Sequence, residues 1–189
     1  DPKGPSIKEI VQNHYNPIIK KIRDINKPVI AAVNGVAAGA GANLALACDI
    51  VVAAKSAGFI QAFSNIGLIP DSGGTYFLPR LVGLPMATAI MMTGENINAE
   101  KAKSIGMIYQ VYEDSEFEQN ALTLAQKISG MPTKSLGYTK RLLSQTYNNS
   151  LENQLEIEAK MQALSASTED HQEGVQAFLE KRMPKFKGR

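Results

Sequence analysis

The 189-residue chain is 44% hydrophobic and 20% charged, with a formal net charge of +2. That apolar content suits one well-packed core with a helical appendage, and the near-balance of charge argues against a nucleic-acid binder, whose footprint is a strong basic excess. No stretch reaches the roughly 18 unbroken apolar residues of a membrane span, no signal-peptide pattern opens the chain, and a single cysteine, Cys48, excludes an internal disulfide and fits a reducing cytoplasm.

The opening Asp1-Pro2-Lys3-Gly4-Pro5 reads as a loop, as though the chain began in mid-domain. Ser6 to Ile25 then shows a near-3.6 apolar period, with Pro17 expected to kink the helix or restart it. Lys27-Pro28 ends that element. Val29 to Ala38 is a dense apolar run with β-branched residues and reads as one buried strand. Gly39-Ala40-Gly41 opens a small-residue helix over Ala42 to Cys48. Asp49 to Ala54 and Phe59-Ile60-Gln61 follow as strands. Ile66 to Pro70 leads into the turn cluster Asp71-Ser72-Gly73-Gly74-Thr75. Helices are expected over Thr75 to Leu81 and Pro85 to Thr93, and a short one from Asn98 to Gly106. Met107 to Val111 is the last expected strand.

From Ser115 the pattern becomes helical throughout, in four stretches broken near Gly130-Met131-Pro132, Asn148-Asn149 and Ser165 to Asp170. The fold class is therefore α/β, divided into a strand-and-helix core over 1–113 and a helical region over 114–189. The histidines, His14 and His171, lie on polar helical stretches and form no ligand pair, so no metal site is expected. Cys48 sits in an apolar run and reads as core packing. The basic tail Lys181, Arg182, Lys185, Lys187 and Arg189 reads as a solvated face or as a site for an anionic phosphate.

Two segments suit chemistry. In Asn34 to Asn43 a strand turns tightly into a helix. Its first N–H groups lack internal partners, and its small side chains leave the backbone approachable. That pattern serves an oxyanion site or simply tight strand–helix packing. In Asn65 to Thr75, Asp71 follows a proline and precedes Gly-Gly. Its position suits an N-cap or a proton-transfer base. The apolar company of Phe63, Ile66, Leu68 and Ile69 would desolvate the carboxylate and favour the second role.

Together these segments resemble the enoyl-CoA hydratase/isomerase (crotonase) family. Lys27-Pro28-Val29 through Gly39-Ala40-Gly41 to Cys48-Asp49-Ile50 looks like its strand–turn–helix. Gly67 to Thr75 is similar to its second signature. Gly94, Ala99, Lys101, Ala102 and Gly106, and the tail from Glu173-Gly174 to Arg182, match its later landmarks in order. The resemblance implies a ClpP/crotonase-like spiral of ββα units lacking its first units, followed by a C-terminal helical trimerisation region. It also implies an acyl-CoA substrate, with CoA as part of the substrate and no separate cofactor, no membrane or nucleic-acid partner, and a homotrimer or dimer of trimers. Leu151, Leu155, Ile157 and Leu164 would then be partly covered by another chain.

By the same resemblance, Ala40 supplies a backbone N–H that polarises the thioester carbonyl, and Asp71 is the catalytic acid. Asn43 and Phe63 stand where hydratases of the family carry their two glutamates, so water addition by that pair is not expected. Asp71 stands where isomerase-like branches carry their acid, which suits a double-bond shift or an epoxide ring opening. Asn43 is expected to hydrogen-bond the substrate or Asp71, Phe63 to wall the acyl pocket, and Lys181 to meet CoA phosphates. A hydratase and a catalytically idle CoA-binding scaffold are the alternatives.

Overall fold

The computed structural model describes residues 4–189; Asp1, Pro2 and Lys3 of the expected opening loop lie outside the described residues. The first helix runs on through Pro17 as three joined segments: α1 (Ile7–Ile10), a π-helical turn (Val11–Tyr15) and α2 (Asn16–Asp24). Proline has no N–H and its ring crowds the carbonyl four residues earlier. The π turn just before Pro17 widens the ladder there, with the Asn16 N–H reaching the Val11 carbonyl. The expected kink or restart is thus a π turn.

Val29 to Ala38 is not one strand. It divides at Asn34-Gly35 into β1 (Ile30–Val33) and β2 (Val36–Ala38), which belong to different sheets. α3 (Ala40–Leu46), β3 (Ile50–Ala54) and β4 (Gly58–Ile60) follow. Next come α4 (Gly74–Val82), α5 (Leu84–Thr93), β5 (Asn96–Asn98), α6 (Ala99–Ser104) and β6 (Gln110–Tyr112). One sheet has the order β1-β3-β6, all parallel, with Ile30 opposite Ile50 and Val52 opposite Gln110. The other has the order β2-β4-β5, with β2 parallel and β5 antiparallel to β4. Central β3 reads Ile-Val-Val-Ala-Ala without alternation because both its faces are covered, as a buried parallel strand requires; its last four residues are buried. Leu78, Ile90, Phe59 and Met107 are the large apolar side chains closed off from solvent around the two sheets.

The strand expected over Met107 to Val111 begins later, at Gln110. The Met107 and Ile108 N–H groups both turn back to the Ala102 carbonyl, after Gly106 at φ +76°. They close α6 instead of extending a strand.

Only helices follow β6: α7 (Phe117–Ser129), α8 (Thr133–Gln145), α9 (Leu151–Ala166) and α10 (Glu169–Leu179). The chain forms two compact units, one of residues 1–24 with 29–122 and one of residues 25–28 with 123–189. In the second, the short segment Ile25–Pro28 lies against α8. The Lys140 ammonium donates to the Lys27 carbonyl at 3.1 Å, and a Cβ on Gly137 would meet the Asn26 carbonyl. The tail after α10 is bound by carboxylates. Asp170, buried, accepts from the Lys187 and Gly188 N–H groups at 2.6 and 2.9 Å. α9 leaves Leu151, Leu155 and Leu164 about half exposed or more in the single chain. Among the described residues no helix is long and apolar enough to cross a membrane, and no cluster of metal-ligating side chains occurs.

Candidate active site

β2 ends at Ala38, and Gly39 turns the chain into α3 with φ +53° and ψ −122°. Only glycine adopts that conformation without strain. Ala40 is the first helical residue, so its N–H has no acceptor within the helix, and it forms no other backbone hydrogen bond among the described residues. The Phe63 ring lies over the turn, 3.6 Å from where a Cβ on Gly39 would stand, and Phe63 is 7% exposed. Phe63 therefore packs as a buried apolar group against the Gly39 turn that precedes Ala40.

Asp71 comes to the same helix by a polar link. Asn43, one turn into α3 and fully buried, donates from Nδ2 to the Asp71 carbonyl at 2.8 Å. Its Oδ1 accepts from Gln61 Nε2 at 2.7 Å. Glycine at position 74 permits this approach, because a Cβ there would stand 2.3 Å from Asn43 Nδ2. The Gly74 N–H also donates to the Asp71 carbonyl. Of the two expectations for Asn43, contact with Asp71 is the one present, and it runs to the main chain of Asp71. With no exposed surface, Asn43 presents no polar atom to a ligand here.

The Asp71 carboxyl does not cap α4. The N-cap is Gly73, at φ +77°, and no side chain bonds the free N–H groups. Oδ1 accepts only the Ser72 hydroxyl, at 2.9 Å, and Oδ2 takes no hydrogen bond among the described residues. Around it, Ile66 and Ile69 are 71% and 81% exposed and Leu68 is 40% exposed. Asp71 is thus a half-buried carboxylate with an available oxygen, and the apolar residues before it in the chain are largely open to solvent, so they do not enclose it as expected. A proton transfer needs such a group.

Lys181 lies in the other unit, in the left-handed region at φ +52° just past α10, exposed and with no side-chain hydrogen bond among the described residues. Its neighbour Arg182 is engaged in a bidentate pair with Glu173 at 2.6 and 2.9 Å. That guanidinium, together with the Lys185 N–H, holds the Glu173 carboxyl down at about 2. Arg182 and Arg189 are thus paired with acids inside the tail, whereas the Lys181, Lys185 and Lys187 ammonium groups form no ion pair among the described residues.

Gln61 and Ser72 are the site residues that sequence reasoning missed. A glutamine at the end of an apolar strand signals a buried partner, since an unpaired buried amide is costly. The positive φ of Ser72 has no sequence signal, because serine carries no preference for that region.

The sequence profile of the enoyl-CoA hydratase/isomerase family matches residues 3–189. The 1,2-epoxyphenylacetyl-CoA isomerase of Escherichia coli K12 is 46% identical over 191 residues, spanning the whole of this chain and 73% of its own length. The 2,3-dehydroadipyl-CoA hydratase of the same organism is 41% identical over 89% of this chain and 66% of its own length. Among solved structures, an enoyl-CoA hydratase from Polaromonas sp. JS666 superposes with a TM-score of 0.92 at 35% identity, covering 98% of this chain and 72% of that one.

Proposed function

The chain belongs to the enoyl-CoA hydratase/isomerase family, a family of enzymes acting on CoA thioesters, and within it we propose that this protein is an isomerase that moves a proton with Asp71 alone. In this reading the Ala40 N–H donates to the thioester oxygen as negative charge gathers there. One such donor is typically worth about 100–1000-fold in rate. Asp71 takes a proton from the carbon beside, or conjugated with, that carbonyl, and the C–H electron pair enters an enolate. The same carboxylate returns the proton to another carbon, so the double bond shifts and Asp71 is regenerated. The reaction is redox-neutral and calls on no further cofactor.

The observation that carries the reading is the unspent Asp71 carboxyl, on a loop tied to the first turns of α3 through Asn43. Phe63 and the buried Asn43 support it too, because neither offers a carboxylate to hold an attacking water. The likeness to the E. coli isomerase points to an aromatic epoxide thioester, 1,2-epoxyphenylacetyl-CoA, as the first substrate to try. Phe63 would wall its ring, and Lys181 would meet the CoA phosphates, within a homotrimer that covers part of the exposed apolar face of α9.

An Asp71→Asn variant tests the mechanism. Ring or double-bond isomerisation should fall by roughly 100-fold or more, the usual worth of a general base. Activity retained within a few-fold would sink it. The similarity to the E. coli hydratase supports a second reading, water addition, which the burial of Asn43 would leave to Asp71. Rapid loss of the conjugated thioester absorbance of crotonyl-CoA would favour that reading.

A further inference from the structure

Ser72 is the buried polar group beside Asp71 that the proposed mechanism leaves unused. We propose that Ser72 is a positioning residue for Asp71: its hydroxyl ties down Oδ1 and so designates Oδ2 as the single oxygen that takes and returns the proton. The inference rests on the assignment of Asp71 as the proton-transfer group.

Ser72 stands at φ +50°, and the only other described non-glycine residue with positive φ is Lys181. An L-residue other than glycine, asparagine or aspartate is held there under backbone strain. The turn already uses glycine at the next two positions, so a third would be the relaxed choice. Serine is present instead, its side chain 1% exposed and its hydroxyl 2.9 Å from Asp71 Oδ1. Strain of this kind persists where the surrounding structure overrides it, and such places cluster at functional sites.

The geometry divides the labour on Asp71. The Gly74 N–H and Asn43 Nδ2 fix its carbonyl, and therefore its backbone. Neither restrains the side chain. Among the described residues the Ser72 hydroxyl is the one hydrogen-bond donor to that side chain, and it acts on one oxygen. A carboxylate free to rotate about Cβ–Cγ would offer either oxygen and sample many approaches to the substrate. Tied at Oδ1, it presents Oδ2 in one orientation. The proton then moves from one carbon to Oδ2 and from Oδ2 to the second carbon on one face of the thioester, while Oδ1 keeps its hydrogen bond throughout.

Four variants decide the matter: Ser72→Ala, Ser72→Gly, Asp71→Asn and Asp71→Asn with Ser72→Ala. Ser72→Ala and Ser72→Gly should each lower kcat about tenfold or more, the usual worth of a hydrogen bond to a charged group, with KM within about threefold. Ser72→Gly relieves the backbone, so it should melt no lower than the parent while losing the same turnover. The double variant should lose no more than Asp71→Asn alone, because a residue acting through Asp71 has nothing to position once the base is gone. Wild-type kcat in Ser72→Gly would overturn the proposal, since it would assign the role to backbone conformation. A double variant slowed by the product of the two single losses would overturn it as well. If Asp71→Asn retains activity, the Asp71 mechanism itself fails; if Asp71→Asn is inactive and both Ser72 variants turn over normally, only the role of Ser72 fails.

Discussion

The two helices that carry the candidate site begin differently from four of the others, and share their glycine-led start with α5, which opens on Gly83. α1, α6, α9 and α10 open on Ser6, Asn98, Ser150 and Thr168, and each of those side chains accepts a backbone N–H of the first turn. α3 and α4 open instead on Gly39 and Gly73, both at positive φ and both without a side-chain cap. A cap satisfies an N–H that would otherwise lack a partner and is worth roughly 1 kcal/mol. Leaving it out at α3 forgoes that stability and keeps the Ala40 N–H available to a ligand oxygen. A glycine-led start does not by itself mark a site, since α5 has one too; at α3 it leaves the N–H of Ala40 without a partner among the described residues.

The contrast is most severely tested at Gly39. A Gly39→Ala substitution forces a Cβ into a conformation of φ +53° and ψ −122°, facing the Phe63 ring. The Ala40 N–H should turn away, and isomerisation should fall by about 100-fold, the effect of losing one oxyanion donor. A variant within a few-fold of the parent kcat would remove Ala40 from the mechanism. Next in size is Asn43→Leu, which strands the Gln61 amide and one bond to the Asp71 carbonyl. Urea unfolding should show a loss of roughly 2 kcal/mol. Replacing Gln61 by leucine in the same chain should recover part of it, since removing both buried partners costs less than orphaning one. The smallest effect belongs to the capped helices. Thr168→Ala should lower stability by about 1 kcal/mol and leave kcat unchanged, as read from a melt and a steady-state assay.

Much of this was legible in the sequence, because hydrophobic period and turn residues mark elements well. The four tail helices break where Gly130-Met131-Pro132, Asn148-Asn149 and Ser165 to Asp170 interrupt the period, and Asn98 caps α6 as its residue type suggests. The errors share a cause: tertiary pairing leaves no local mark. Nothing in Val29 to Ala38 says that its two halves join different sheets. β5 is Asn-Ile-Asn, three residues whose strand character comes only from pairing with β4. Around Asp71 the acid itself can be picked out, but residue type alone leaves cap and base equally open; the N-cap of α4 is Gly73, a choice made by the folded turn. Ser72 and Gln61 could not be singled out, since burial and a positive φ are properties of the folded turn.

The last residues of the chain give their amide hydrogens to acidic side chains rather than to water. Lys187 and Gly188 occupy both oxygens of Asp170, which is 3% exposed. Without that segment Asp170 would lose two N–H donors and the cover that keeps water out, a loss of roughly 1–3 kcal/mol for hydrogen bonds to a charged group. Residues 187–189 thus close over a buried carboxyl, and disturbing them should be felt at the start of α10.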